Sequence, residues 1–242
     1  TGGGCPHILA EPQRTNLITY SSDFSNAFWL KTGASVTSGF TSPDGTANAF
    51  KLVEDTSTGN HNIYSNNVSV TVGSNYTYSC YVKIGERSIV RIDGGYRLSI
   101  DATFNLNTLV VTGTGTIESL SNGWFRLTAT GTGDLSTGNT NLFTYLLNNS
   151  GTQSYTGDGT SGVYIYGAQL EEGSYPTSYI PNFGTALGVT RNQDIFSRDG
   201  IGSLINSTEG VLFAEIAALT ITNSSNAAIS VSDGSTTNRI FI

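Results

Sequence analysis

The sequence predicts an all-β protein folded as an antiparallel jelly-roll sandwich with a partial β segment at its C-terminal end. Three observations predict it. Short runs of period-two alternation recur about every ten residues, with Gly, Asn or Asp turn signals between them. Glycine is abundant, at 29 of 242 residues, and Gly and Asn supply the positive-φ positions that tight turns need. Helix formers are concentrated nowhere, and no helix of ordinary length is visible. Charged residues make up only 12%, but 12 Tyr and 11 Phe supply a core, which argues against disorder. No internal repeat of fixed period is present.

Taken in order, residues 1–20 read as an extended arm, because Pro6 and Pro12 exclude helix. Ile8, Leu9, Leu17 and Ile18 can anchor it, and Glu11, Gln13 and Arg14 can fix it by hydrogen bonds. Ser22 or Asp23 is placed to cap a single helical turn before Phe28 and Trp29. Strands begin at Ala34. Asp44-Gly45 turns the chain into residues 47–53, where Ala49 and either Leu52 or Phe50 face inward. After residues 62–72 and the Gly73-Ser74-Asn75 turn comes the cleanest strand, residues 76–84. There Tyr76, Tyr78, Cys80, Val82 and Ile84 share the core face, and Thr77, Ser79, Tyr81 and Lys83 share the other. Residues 89–92, 96–104 and 110–117 continue the pattern. Ser121-Asn122-Gly123 leads into residues 124–130, where Phe125, Leu127 and Ala129 alternate with Trp124, Arg126 and Thr128. Residues 142–147 are a short apolar run, and a loop with Asp158-Gly159 at its tip precedes the closing stretch. That stretch, residues 162–181, runs from an apolar aromatic strand through Gln169 and Glu171 to a Gly-Ser turn and two prolines. It reads as the last buried strand, followed by a strap that seals the sandwich.

Past Pro181 the character changes. Residues 1–181 read as one domain, 182–203 as a linker, and 204–242 as an incomplete second β domain, since about forty residues cannot close a second sandwich. The chain begins at Thr1 and contains no Met, so it reads as a fragment or a processed product, and targeting is not legible.

The net charge is −7 and no run of Lys or Arg occurs, which points away from nucleic acid. No stretch approaches the ~20 apolar residues of a membrane helix. Cys5 and Cys80 do not make a disulfide framework; a bond between them and two free thiols are both open. His7 and His61 are too few for a metal cluster. Glu171 and Glu172 are adjacent, so on a strand they face opposite ways and cannot flank one glycosidic bond. No Ser, Cys or His spacing of a nucleophilic enzyme is recognisable, and no enzymatic activity is expected. The Asp-Gly pairs lack the ligand density of a calcium loop and read as turns.

Aromatic rings on polar strand faces are the most informative signal for function. A sugar ring has an apolar C–H face that packs on Trp or Tyr, while planar polar groups bind its hydroxyls. Tyr81 with Lys83, and Trp124 with Arg126, lie opposite expected core faces. With Thr77, Ser79 and Arg91 they form the candidate carbohydrate-binding set. The alternative for Trp124 is cover for the sandwich, with Arg126 paired to an acid; Trp29 has a core alternative too.

Residues 11–17 (EPQRTNL), the aromatic stretch ending at Trp29, residues 122–126 (NGWFR) and residues 167–181 (GAQLEEGSYPTSYIP) together resemble a domain common in bacteriophage tail and virion proteins. That domain is similar to jelly-roll carbohydrate-binding modules of families four, nine and twenty-two. Residues 207–215 (STEGVLFAE) resemble the opening of a laminin-G or concanavalin-like lectin domain. The resemblance implies a non-catalytic module on a virion surface or outside the cell, attaching to a polysaccharide or cell-surface glycan, and trimeric if it belongs to a fibre. An architectural virion domain without sugar binding, and an accessory module of a polysaccharide-degrading enzyme, are the alternatives. Xylan- and cellulose-binding relatives carry a structural calcium. Here Phe24 is followed by Ser25 rather than Glu, and Gln169 stands near the place of an acidic ligand, so no cofactor is expected.

Overall fold

The computed structural model describes residues 9–195 and two short strands, Ser230–Ser232 and Arg239–Phe241. The chain divides into two compact units, Thr1–Asp194 and Ile195–Ile242. In the second, the two described strands pair antiparallel, with Val231 opposite Ile240. Cys5 and the lectin-like residues 207–215 lie outside the described residues.

The first unit is an all-β sandwich whose strand pairs are all antiparallel. One sheet runs in the order Gly115–Ser119, Trp124–Thr132, Asn75–Ile84, Gly162–Glu172, Ala49–Glu54, Ala34–Phe40. The other runs Val110–Gly113, Asp101–Asn105, Ile89–Asp93, Phe143–Leu147, Thr58–Ser65, Ser154–Thr156, with Trp29–Thr32 also paired to Thr58–Ser65. Neighbours in space are mostly distant in sequence, as crossovers between the two sheets require.

The core lies between the sheets and follows strand parity. Tyr76, Tyr78, Cys80 and Val82 are buried there, together with Leu127, Ala129, Val163, Ile165 and Leu170 of the first sheet. Ile63, Val90, Ile92, Ala102, Phe104 and Leu146 meet them from the second. Burial of this apolar surface supplies the main drive to fold, at about 25 cal/mol per Å². Cys80 is buried as a thiol, and desolvation pushes its pKa up to about 12, so it is inert.

Three expectations change. Residues 21–29 form turns rather than a helical turn: the Asp23 carboxylate accepts the Ser25 N–H at 3.1 Å, a local bond that competes with helix. Phe50 and Leu52 both face the core, whereas Ala49 joins a second cluster with Trp124 and Tyr166. Residues 189–191, read as linker, pair as a strand with Arg14–Asn16 of the arm.

Candidate functional site

The outward side of the first sheet carries most of the predicted set. Register places Trp124, Lys83 and Tyr164 in one row, Arg126, Tyr81 and Tyr166 in the next, then Thr128, Ser79 and Gln169, then Thr130, Thr77 and Glu171. Tyr166 and Gln169 share a face because a bulge at residues 167–168 resets the parity. Gly167 sits there at φ +62°, where a Cβ would stand 2.9 Å from the Tyr81 ring.

This side is not open. The strap after Glu172 lies across it. Tyr179 packs edge-on against Tyr166 at 5.5 Å and Tyr81 at 6.1 Å. Arg126 Nη2 donates to the Thr177 carbonyl at 2.5 Å and to Ser79 Oγ at 3.1 Å. Gln169 donates to Glu171 at 2.7 Å and accepts from the Ile180 N–H at 2.6 Å; Glu171 also accepts from the Thr177 N–H and hydroxyl. Thr77, Ser79, Gln169 and Glu171 are buried, and Trp124 is only 1% exposed. The predicted set is thereby corrected. Parity assigned Thr77, Ser79, Tyr81, Lys83, Trp124 and Arg126 to one face, but the strap and a small aromatic core cover much of it, and Trp124 is unavailable for stacking on a ligand. The same network explains the quoted motifs. Asn16 donates to the Ala168 and Ile180 carbonyls and accepts from Ile18 and Leu170, and Glu11 accepts from the Ser178 N–H and pairs with Arg191. These motif residues join arm, bulge and strap.

Arg91 does not join that face; it lies on the second sheet. The register there builds a different surface. Leu30, Tyr64, Phe143, Asp93 and Asp101 form one row across five strands, and Thr32, Asn62, Tyr145, Arg91 and Thr103 the next. The intervening residues, among them Ile63, Leu146, Val90 and Phe104, enter the core, so these two rows face outward. No strap residue contacts these rows in the aromatic or hydrogen-bond pairs found among the described residues.

Three half-buried rings lie together on this surface. Tyr64 and Phe143 stack with centroids 4.8 Å apart at 21°, and Phe143 and Tyr145 at 5.6 Å and 14°. Arg91 stands over Tyr145 at 5.6 Å and is held on three sides. Its Nε and Nη2 donate to Asp101 at 2.8 and 3.0 Å, its Nη2 pairs with Asp93 at 2.8 Å, and its Nη1 donates to Gln153 at 2.9 Å. The Asp101 hydrogen bond, opposed by burial and helped by the Asp93 charge, raises the Arg91 pKa. Burial, then the Asp93 charge, raises that of the Tyr145 hydroxyl, with Arg91 pulling the other way. Asn62, 4% exposed, carries a buried Oδ1 with no hydrogen-bond partner.

Near-parallel rings beside a fixed polar cluster make a stacking platform rather than a reaction centre. Sequence reading missed Tyr64, Phe143 and Tyr145 because residues 142–147 look like one apolar run. The signal was the i, i+2 pair of aromatics, Phe143 and Tyr145, set against Leu142 and Leu146. Among the described residues, no three His, Cys, Asp or Glu side chains come together as metal ligands.

No protein-family model matches the chain, and no curated protein does. Solved structures similar to it include the enzymatically active domain of tailspike protein 4 from bacteriophage CBA120, at 13% identity and a TM-score of 0.43, over 64% of this chain and 21% of that one. Another is the CBM22-1–GH10 portion of a Clostridium thermocellum endo-1,4-β-D-xylanase complexed with xylohexaose, at 14% identity and a TM-score of 0.38, over 67% and 29%. A third is the CBM22-1 xylan-binding domain of a Paenibacillus barcinonensis enzyme, at 10% identity and a TM-score of 0.33, over 67% and 94%. The chain thus spans less than a third of the first two.

Proposed function

We propose that the first unit is a non-catalytic glycan-binding module whose site is the outward face of the second sheet. One observation carries the reading: Tyr64, Phe143 and Tyr145 present near-parallel rings in a row, with Arg91, Asp93, Asp101 and Gln153 fixed beside them. The apolar face of a pyranose packs on such rings, and planar side chains at their edge bind its hydroxyls. Side chains already locked by each other lose little entropy on binding. A single site of this kind binds weakly, with Kd on the order of 0.1–1 mM, so firm attachment needs several copies. The resemblance to virion and carbohydrate-binding domains supports the same reading, with the module on a virion surface or outside the cell.

The test is a glycan array, followed by calorimetric titration of a hit into wild type and Tyr145→Ala. The module reading expects Tyr145→Ala to weaken binding by roughly fivefold or more, the loss of a stacking contact worth on the order of 1 kcal/mol. Full affinity in folded Tyr145→Ala overturns the assignment of the site.

A second reading is an architectural domain that joins neighbouring subunits. It is favoured by Val72, Tyr96 and Leu135, exposed at 50%, 76% and 65%, on loops tied to each other at one end of the sandwich. Failure of every glycan to bind, with a concentration-dependent oligomer lost in a Tyr96→Ser, Leu135→Ser double variant, would favour it.

A further inference from the structure

We infer that the outward face of the second sheet prefers glycans carrying positively charged amino groups over neutral ones, and neutral ones over acidic ones, with Asn62 and Asp101 setting that preference. This rests on the reading of that face as a glycan site.

The argument is an inventory of donors and charges. Arg91 is the one cation in the two outward rows, and it is committed: three contacts to Asp101 and Asp93 and one to Gln153 occupy four of its five N–H donors. An acidic sugar, which needs a free guanidinium or ammonium, finds this one already shared between two carboxylates. The acceptors are in surplus. Two carboxylates stand against one cation. The Asp101 side chain is 63% exposed, so its remaining lone pairs face solvent. Asn62 Oδ1 lies in the floor of the same row, buried and without a donor. A buried acceptor left unpaired costs about 1–3 kcal/mol, so whatever brings it a donor is favoured. A ligand hydroxyl or amine can supply it, directly or through one held water.

The rings add a term of the same sign. The faces of Tyr64, Phe143 and Tyr145 are negative, and an ammonium set against them gains a cation–π attraction. Ring quadrupoles, excess carboxylate and the unmatched acceptor all favour a donor that carries positive charge. None favours a carboxylate or sulfate.

The experiment titrates four β-1,4-linked oligosaccharides of equal length into the whole chain, built from glucosamine, N-acetylglucosamine, glucose and galacturonic acid. It is run at about pH 5.5, where a sugar amine is protonated and carboxylates are ionised. Glucosamine should bind about threefold to tenfold tighter than glucose, and galacturonate weakest. The glucosamine advantage should fall with added salt and largely disappear in Asp101→Asn, a change at an exposed side chain whose melting temperature serves as the folding control. Asn62→Leu, if folded, should weaken all four sugars. Galacturonate binding as tightly as glucosamine overturns the inference while leaving the glycan site standing. An undiminished glucosamine preference in Tyr145→Ala also overturns it, because the attraction is then general to an acidic chain. Absence of binding by all four sugars overturns the inference and the glycan site together.

Discussion

At the scale of single residues, two aromatic side chains that look alike in sequence have opposite roles. Trp124 and Tyr145 each alternate with core residues on a strand. Trp124 lies beneath the strap region among Ala49, Tyr166 and partly buried rings, whereas Tyr145 is half-buried on an uncovered face. Trp124→Ala should therefore cost about 3–5 kcal/mol and lower the melting temperature by many degrees. Tyr145→Ala should cost about 1 kcal/mol and show its effect in binding. Thermal melts of the two variants check this; equal losses of stability would contradict it. Gly167 is a second residue whose identity is dictated locally. Its φ of +62° and the nearby Tyr81 ring leave no room for a Cβ, so Gly167→Ala should destabilise by about 1–2 kcal/mol or more in a denaturant titration. The alternation of residues 76–84 and 124–130 was legible because burial on one face imposes period two. Which polar face stays open was not, because the covering strap comes from residues 173–182, some fifty residues further along the chain.

At the scale of elements, buried carboxylates fix the connections. Glu171 holds strap to sheet by accepting from Gln169 and Thr177 in a dry site. Glu171→Leu leaves those donors unpaired, and should cost about 2–4 kcal/mol and expose residues 173–182 to limited proteolysis. Cleavage no faster than in wild type would contradict the role given to the strap. Glu54 does the same at the opposite end of its strand. It accepts from Arg87 at 2.7 Å, from the Tyr155 hydroxyl at 2.6 Å and from the Asp158 N–H at 2.9 Å. Burial alone would raise its pKa, but these bonds and the Arg87 charge outweigh burial and hold it below the ordinary value. A carboxyl depressed in the folded state stabilises fully above its unfolded value, about 4.3, and that contribution is lost as pH falls through the folded value. The stability gap between wild type and Glu54→Gln should thus be large at neutral pH and shrink below about pH 4. A gap that stays constant on acidification would contradict it. The motif of residues 167–181 was legible as a closing element; that Gln169 and Glu171 serve the strap rather than a ligand required the register at the bulge.

At the scale of the whole molecule, the two sheets divide the work. The first is covered on both sides, by the core within and by strap and aromatics without; the second keeps its outward rows uncovered by the strap. Composition and turn spacing were enough for the all-β sandwich and its core faces. They were not enough to choose between the outward faces, because Arg91, Asn62 and Tyr145 come together only through pairings across some eighty residues of sequence. The most direct test of the glycan-binding face is backbone amide NMR during titration with an oligosaccharide identified on an array. The account predicts shifts concentrated on residues 60–65, 89–93, 101–103 and 143–147, saturating in the millimolar range or below, with residues 77–83 and 124–128 unmoved. Shifts confined to residues 77–83, 124–128 and 164–179 would contradict it.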